Sequence, residues 1–168
     1  MPANVVPVNG NNPKDRELEG QVREALVRYA TLRIWGHALQ IQAHDGVITL
    51  AGHVRTVTGK ETAERLVGQV AGVRDIVNEL IVDTQLEMTV ARALGDNPVT
   101  GAAFPGILVG SGFGEIFLKG SVASVEIKQV AAQVAAGVPG VLRVVNELAA
   151  PVPPAPVTPS TEEAGRAE

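Results

Sequence analysis

The sequence predicts an α+β fold built from two tandem α-β-β-α-β units, each with a three-stranded mixed sheet and two helices on one face. The first observation is an internal repeat: GVRDIVNEL at 72–80 returns as GVLRVVNEL at 140–148, and the same shift of 68 positions aligns 18–80 with 86–148 without a gap. The second is that each copy contains both helical and alternating patterns of apolar residues. Most identical pairs are apolar or glycine, which indicates a shared core and shared turns rather than a shared reactive site.

Each unit begins with an amphipathic helix. In the first copy, apolar residues recur at helical spacing from about Asp15 to Ala30, with polar residues between them. The apolar positions are Leu18, Val22, Ala25, Leu26 and Tyr29. In the second copy, Pro98 disfavours helical geometry at the residue before it, so we expect that helix to end early and a longer loop, VTGAAFPG, to follow.

Two strands and a tight turn follow the first helix. LQIQA at 39–43 and VITLAGHV at 47–54 both alternate apolar with polar residues. Asp45 and Gly46 between them are typical of a two-residue hairpin turn, which requires positive φ. In the second copy VGSGFGE at 109–115 holds the same position, so we interpret it as a turn. A phosphate-binding loop would lead from a strand into a helix instead.

A second helix and a third strand complete each unit. Thr58 and Glu61 have the spacing of a capping box and precede apolar residues at helical intervals, and Gly72 is expected to end this helix. VRDIVNELIV at 73–82 then supplies the third strand. A right-handed crossover leaves this strand parallel to the second strand.

Repeated glycine and asparagine residues form the signature of the duplication, and we expect them to serve the fold. Asn has poor strand propensity, so its recurrence inside the third strand predicts that its amide satisfies neighbouring backbone groups. Glu79 and Glu147, the next residues along the strand, are interpreted as a solvated sheet face. The signature residues are Gly46, Gly52, Gly72, Asn78, Gly114, Gly120, Gly140 and Asn146.

The predicted domain organisation is a disordered N-terminal arm at 1–14, two units at 15–83 and 84–150, and a Pro-rich, then acidic, disordered tail at 151–168. A single unit of this size is marginal alone, with about 3–5 kcal/mol of core stability. We therefore expect the two copies to pack together and to unfold cooperatively.

Composition argues against several classes of function. The chain has 168 residues, a net charge of −4 and no cysteine. It therefore lacks the broad positive field that favours nucleic acid, and it has no thiol chemistry. No nucleophile, base and orienting group lie together at motif spacing, so we expect neither enzyme activity nor a cofactor. His37, His44 and His53 lack metal-ligand spacing, so we expect no metal site and place them at solvent-facing loop and strand positions.

The N-terminal stretch MPANVVPVNGNNPKD has neither a basic start nor a long apolar run. No stretch of the chain approaches the roughly 18 apolar residues of a spanning helix. We expect a cytoplasmic protein without a transmembrane segment, with peripheral membrane association as the alternative.

The turn and strand motifs resemble those of the BON domain, a module named for bacterial osmotically inducible and nodulation proteins. The matching stretches are DGVITLAGHV at 45–54 with VAGVRDIVNELIV at 70–82, and FGEIFLKGSV at 113–122 with VPGVLRVVNELAA at 138–150. The resemblance implies a noncatalytic module associated with phospholipid or the cell envelope and with survival of osmotic stress.

The segment between the first helix and the first strand carries the candidate contact residues for a membrane or a partner. They are Arg33, Ile34 and Trp35 in the first copy and Phe104 and Pro105 in the second. If both rings are exposed, they form a wedge that rests on a membrane surface. The alternative is that the rings seal the helix–sheet core or the contact between the copies.

Two hypotheses about function follow. The first is a stress-related protein that peripherally engages phospholipid or an envelope protein. The second is a protein-interaction or holding-chaperone module that uses an open sheet face or an edge strand to meet polypeptides. The oligomeric state is open at this point.

Overall fold

The computed structural model describes residues 12–29 and 39–151. The first repeat consists of α1 (Pro13–Arg28), β1 (Leu39–His44), β2 (Val47–Val54), α2 (Val57–Gly68) and β3 (Asp75–Val82). The second repeat consists of α3 (Asp83–Asp96), a short 3₁₀ helix (Gly101–Gly106), β4 (Ile107–Gly112), β5 (Glu115–Ser121), α4 (Val125–Ala136) and β6 (Arg143–Ala149). Apart from the first residues of α1 and Pro151, the predicted terminal arms lie outside the described residues.

Each repeat contains a three-stranded mixed sheet. The strand orders are β1-β2-β3 and β4-β5-β6, with the hairpin strands antiparallel and the third strand parallel to the middle strand. The registers are equivalent, because Ile48 pairs with Ile76 just as Ile116 pairs with Val144. The two helices of each repeat contact each other and the sheet. The predicted α+β class and the predicted unit are confirmed.

A separate core lies between the helices and the sheet of each repeat. Ile48 and Leu50 on β2 are at most 1% exposed, and their equivalents Ile116 and Leu118 on β5 are fully buried. Alternation along the middle strand places these side chains on the helix side. Truncating one of them to alanine removes contacts that cannot be replaced, at a cost of about 2–5 kcal/mol. The apolar residues that are identical in the two copies therefore form the two equivalent cores.

Both hairpins turn through two residues with left-handed backbone. Asp45 and Gly46 have φ of 48° and 81°, and Phe113 and Gly114 have φ of 52° and 80°. This geometry matches the right-handed twist of the flanking strands. The predicted turn is therefore present in both copies, at the same position.

The start of α2 differs from the prediction. Its N-cap is Thr56, whose extended backbone lets the hydroxyl accept a hydrogen bond from the N–H of Gly59 at 3.1 Å. The capping box predicted at Thr58 and Glu61 is wrong, because Thr58 already lies within the first turn of the helix. In the second repeat Ser124 caps α4 in the same way.

Two helix ends also differ from the prediction. α2 ends at Gly68, and Gly72 instead takes φ of 95° in the turn that precedes β3. α3 ends at Asp96, before Pro98, but Asp96 is the repeat equivalent of Arg28 at the end of α1. The helix of the second copy therefore ends no earlier than that of the first, because both ends are set by the same packing.

Candidate functional site

The two repeats meet at a joint formed by His53 and Ile81 of the first repeat and by Gly114, Gly140 and Leu142 of the second. His53 is only 6% exposed, and its Nε2 lies 2.8 Å from the carbonyl oxygen of Gly140. A carbonyl only accepts, so Nε2 carries the proton and donates. Ile81 packs against the core of the second repeat. The predicted solvent-facing position of His53 is wrong, because the second repeat covers it.

Neither glycine of the joint has space for a side chain. A Cβ on Gly140 would lie 3.0 Å from Cδ1 of Ile81, and one on Gly114 would lie 2.7 Å from Nε2 of His53 and 2.9 Å from Cγ of Leu142. Both residues also have positive φ. Glycine is therefore needed here for close approach between the repeats as well as for the turn.

Phe113 adds an apolar contact to the joint. Its φ of 52° is uncommon for a bulky residue, whereas its repeat equivalent, Asp45, is a residue type that tolerates this conformation. The Phe113 side chain packs against the core of the first repeat. The contact between the repeats therefore offsets the backbone strain at this turn.

Asp83 fixes the same turn from the other side. It follows β3 directly and begins α3, and it is 2% exposed. Its two carboxylate oxygens accept hydrogen bonds from the N–H of Phe113 at 2.6 Å and of Gly114 at 3.0 Å. A carboxylate here also lies favourably at the positive end of the helix. One residue thus links the last strand of the first repeat to the hairpin of the second.

Among the residues that the structure describes, none covers the surface of the first repeat that corresponds to this joint. This surface forms a groove of about 720 Å³ beside the start of α1 and the Asp45–Gly46 turn. Lys14, Asp45 and Arg74 line it, together with Gly72. Asp45 stands where the second repeat has Phe113, and Arg74 stands where it has Leu142. The groove is therefore polar where the joint is apolar.

The repeated asparagines satisfy backbone groups in both repeats. The amide nitrogen of Asn146 donates to the carbonyl of Lys128 at 2.7 Å, and its amide oxygen accepts from the N–H of Leu148 at 3.2 Å. Asn78 makes the equivalent bonds and also donates to Glu64. Each amide ties the third strand to the helix before it, which accounts for Asn inside a strand.

The sheet faces that point away from the helices differ between the repeats. In the second repeat Leu108 is 68% exposed, and Phe117 and Val145 pair across β5 and β6. A Cβ on Gly110 would lie 4.0 Å from Cβ of Phe117, and one on Gly112 would lie 4.0 Å from Cε2 of the Phe117 ring, so the ring extends over Gly112. We call Leu108, Gly110, Phe117 and Val145 the apolar strip.

Two exposed ion pairs flank the apolar strip. Nζ of Lys119 lies 3.3 Å from Glu147, and the guanidinium of Arg143 lies 2.7 Å from Glu115. The Glu115 carboxylate accepts a hydrogen bond from Arg143 and raises the pKa of this already strongly basic group. Surface pairs of this kind add little stability. Their effect is to border an apolar surface with charges of both signs.

The edge strands β1 and β4 also differ. In the first repeat the carboxylate of Glu19 accepts a hydrogen bond from the backbone N–H of Ala43 at 2.9 Å. In the second repeat the equivalent Glu87 accepts instead from the hydroxyl of Ser111 at 3.0 Å, and this hydroxyl also lies 3.0 Å from the carbonyl of Asp83. A side chain thus covers a backbone donor on β1, whereas the equivalent side chain on β4 is engaged elsewhere.

The predicted contact residues lie in two places. Arg33, Ile34 and Trp35 lie outside the described residues. Phe104 is half-buried in the 3₁₀ helix, where it packs against the second core, and Pro105 beside it is exposed. The structure therefore brings Phe104 to the end of the helix–sheet core of the second repeat.

The described residues offer no metal centre and no membrane span. Neither range brings three or more His, Asp or Glu side chains together as metal ligands. None of the helices in these ranges combines the length and hydrophobicity needed to cross a bilayer. His44 is exposed beside Asp45, and His37 lies outside the described ranges.

Sequence reasoning missed His53, Asp83 and Ser111. A signal for His53 was present, because it differs from its repeat equivalent, Ser121, while the residues on either side of it are identical in the two copies. Differences between aligned copies mark positions with a role in one copy alone. Asp83 is repeated as Asp15, which is also buried in the first turn of its helix.

Comparisons with known proteins agree with this architecture. The BON domain family model matches residues 14–84 and again residues 82–150. Among solved structures, the C-terminal domain of CdsD, a structural protein of the type III secretion system of Chlamydia trachomatis, superposes with a TM-score of 0.64 at 17% identity, covering 83% of this chain and 67% of that chain.

A second CdsD structure covers 80% of this chain and 93% of that chain at 14% identity, but its TM-score is 0.40. No match was found among curated proteins. The first CdsD likeness shows the fold, and the family match extends over both repeats. The chain therefore belongs to the BON domain family and carries two tandem copies of the domain.

Proposed function

We propose that this protein is a noncatalytic interaction module that binds apolar segments of other polypeptides on the sheet of its second repeat. The observation that carries the proposal is the apolar strip. Three of its four residues replace polar ones, since Gln40, Gln42 and Thr49 hold the positions of Leu108, Gly110 and Phe117 in the first repeat, whereas Val145 corresponds to Val77. A group of apolar side chains on a solvent-facing sheet surface commonly marks an interaction site.

The apolar strip suits a weak and reversible partner. Burying one large apolar side chain contributes about 1.5–3 kcal/mol, and ordering the partner offsets part of this gain. Gly110 and Gly112 place no side chain of β4 beside Phe117. The flanking ion pairs discourage nonspecific contact with other apolar surfaces. Binding of this strength suits an interaction or holding role toward many sequences.

The experiment measures suppression of aggregation of a chemically unfolded client, with the residues of the first repeat written into the second. The double variant Leu108→Gln and Phe117→Thr should lose most of the suppression. Thr49→Ser, at the position in the first repeat that corresponds to Phe117, is the matched control and should act like the parent. Suppression that is unchanged in the double variant would remove the apolar strip from the proposal.

Peripheral association with phospholipid is the second candidate. It is favoured by the exposure of Pro105 and Leu108, which lie close together in the chain at the start of β4. The family resemblance also implies this role, together with osmotic stress. Co-sedimentation with vesicles of phosphatidylglycerol and phosphatidylethanolamine separates the two candidates. Vesicle binding that is lost in Pro105→Ser with Leu108→Gln, without any suppression of client aggregation by the parent, would favour phospholipid.

A further inference from the structure

The edge of the first sheet has a backbone donor that is already paired. The N–H of Ala43 on β1 donates to the carboxylate of Glu19, which reaches across from α1. A side chain that occupies an edge donor prevents another strand from pairing there. The first repeat therefore protects its edge with a helix carboxylate.

The edge of the second sheet lacks this protection. Glu87 holds the position of Glu19, but its carboxylate accepts from the hydroxyl of Ser111 rather than from the backbone. Within the described part of the chain, the backbone N–H of Ser111 has no acceptor. The replacement of Ala43 by Ser111 thus exchanges a covered edge for an open one.

The hairpin geometry identifies which groups of β4 point to the open side. Gly112 and Glu115 flank a two-residue turn and form a hydrogen-bonded pair, and pairs then alternate along the ladder. Ile107, Val109 and Ser111 therefore direct their backbone groups away from β5. The N–H of Ile107 agrees with this, because it donates to the carbonyl of Phe104 and not to β5.

We infer that β4 pairs in an antiparallel arrangement with β4 of a second copy of this chain, on a two-fold axis at Val109. In this register the two Val109 residues exchange both backbone hydrogen bonds, and each Ser111 N–H donates to the carbonyl of Ile107 in the other copy. A two-fold axis at Gly110 would instead bring together two residues whose backbone N–H and C=O groups already face β5. The register at Val109 is thus the one that uses the outward-facing groups.

The side chains fit the same register. Leu108, which is 68% exposed, comes to lie opposite Gly110 of the second copy, with Phe117 of that copy on the adjacent strand. Each copy contributes one protruding residue and one glycine, so the contact is complementary to itself. β4 also has no charged residue, so two copies of it meet without like charges. By contrast, the exposed strand β6 carries Arg143 and Glu147.

The expected association is weak, because the five residues of β4 that pair in this register, 107–111, extend only about 17 Å and bury less than the roughly 1,200 Å² of a stable interface. Dimers should accumulate in the range of about 10 µM to 1 mM. This inference goes beyond the proposed function and does not rest on it, since the dimer needs no client. Where both hold, dimerisation covers part of the apolar strip and competes with client binding.

The test is sedimentation velocity of the full chain over that concentration range. Ser111→Ala frees Glu87 to cover the backbone N–H as Glu19 does, and Val109→Pro removes the N–H on the two-fold axis without removing a bond to β5. The parent should shift from monomer to dimer with concentration, and both variants should weaken dimerisation at least about tenfold. Ser121→Ala, the same chemical change on β5, should behave like the parent.

Circular dichroism spectra and melting curves that match the parent show that each variant is folded. A parent that stays monomeric at every concentration overturns the inference, as does a dimer that both variants retain. Loss of dimerisation with unchanged client suppression leaves the proposed function intact. Loss of suppression in Leu108→Gln with Phe117→Thr bears on the proposed function, whereas Ser111→Ala tests the edge alone.

Discussion

The first repeat places Gln40, Gln42 and Thr49 on its open sheet face, whereas the second places Leu108, Gly110 and Phe117 at the same positions. The cores, turns and registers of the two repeats are nevertheless equivalent. Duplication therefore preserved the packing and left the surfaces free to diverge. The second repeat has an apolar sheet face and an open edge strand, whereas the first has a polar sheet face and a covered edge strand.

The same contrast holds at the joint. The hairpin end of the second repeat is covered by His53 and Ile81, while the equivalent end of the first repeat is an open polar groove. A repeat surface that no neighbouring repeat covers is more soluble when it is polar. Asp45 and Arg74 in place of Phe113 and Leu142 make this end polar. The two equivalent ends thus differ in side chains and not in fold.

The largest expected difference between the repeats is at the glycines of the hairpin turns. Gly114→Ala should destabilise the protein by about 2–4 kcal/mol, because it adds positive-φ strain and a collision with the held ring of His53. Gly46→Ala has the same strain and a tight 3.0 Å approach to the carbonyl oxygen of Gly72, but its closest neighbour is the flexible side chain of Arg74, so about 1–2 kcal/mol is expected. Chemical denaturation measures both; equal losses would show that the joint adds nothing at Gly114.

Asp83 comes next in expected effect. Asp83→Ala leaves the N–H groups of Phe113 and Gly114 without their carboxylate, which should cost about 2–3 kcal/mol because the site is buried. Asp83→Asn keeps one acceptor and should cost less. Thermal unfolding monitored by circular dichroism gives the ranking, and an Asn variant less stable than the Ala variant would contradict it.

His53→Ala should weaken the contact between the repeats by about 1–2 kcal/mol, since it removes the hydrogen bond to Gly140. Calorimetry should then show a broader transition or two transitions in place of one. Ser121 is the repeat equivalent of His53 but is exposed. Ser121→Ala should therefore leave the transition unchanged. A His53→Ala transition as sharp as that of the parent would argue against coupling through this residue.

The expected effect at the strand asparagines is about as large as that at His53. Asn146→Ala removes two backbone hydrogen bonds and should cost about 1–2 kcal/mol. Asn78→Ala should cost a few tenths of a kcal/mol more, because Asn78 also bonds the exposed Glu64. Urea unfolding of the two variants in one background compares them, and an Asn146 variant as stable as the parent would exclude the structural role.

The sequence was sufficient for features that depend on local patterns. The turn at Asp45 and Gly46, the alternating strands and the parallel third strand all follow from periodicity and turn chemistry. The cap of α2 was misplaced because Thr56 and Thr58 have equal propensity and the backbone at Thr56 decides. His53 was misplaced because its burial arises from the other repeat, 87 positions away along the chain.

The candidate surface was predictable only in kind. An open sheet face or an edge strand follows from a three-stranded sheet with helices on one side. Which edge is open depends on whether Glu19 or Glu87 reaches the backbone, and one hydroxyl group on Ser111 decides this. The choice of one carboxylate between two donors, a hydroxyl and a backbone N–H, cannot be predicted from the sequence pattern.

The most direct measurement is amide hydrogen exchange at Ala43 and Ser111, followed by NMR in dilute and concentrated samples. If the first edge is covered by its own glutamate and the second is open, Ala43 exchanges at least about tenfold more slowly in dilute solution. Of these two amides, only that of Ser111 should gain protection from exchange as the protein concentration rises. Equal protection of both amides at every concentration would contradict the view that the repeats differ in this way.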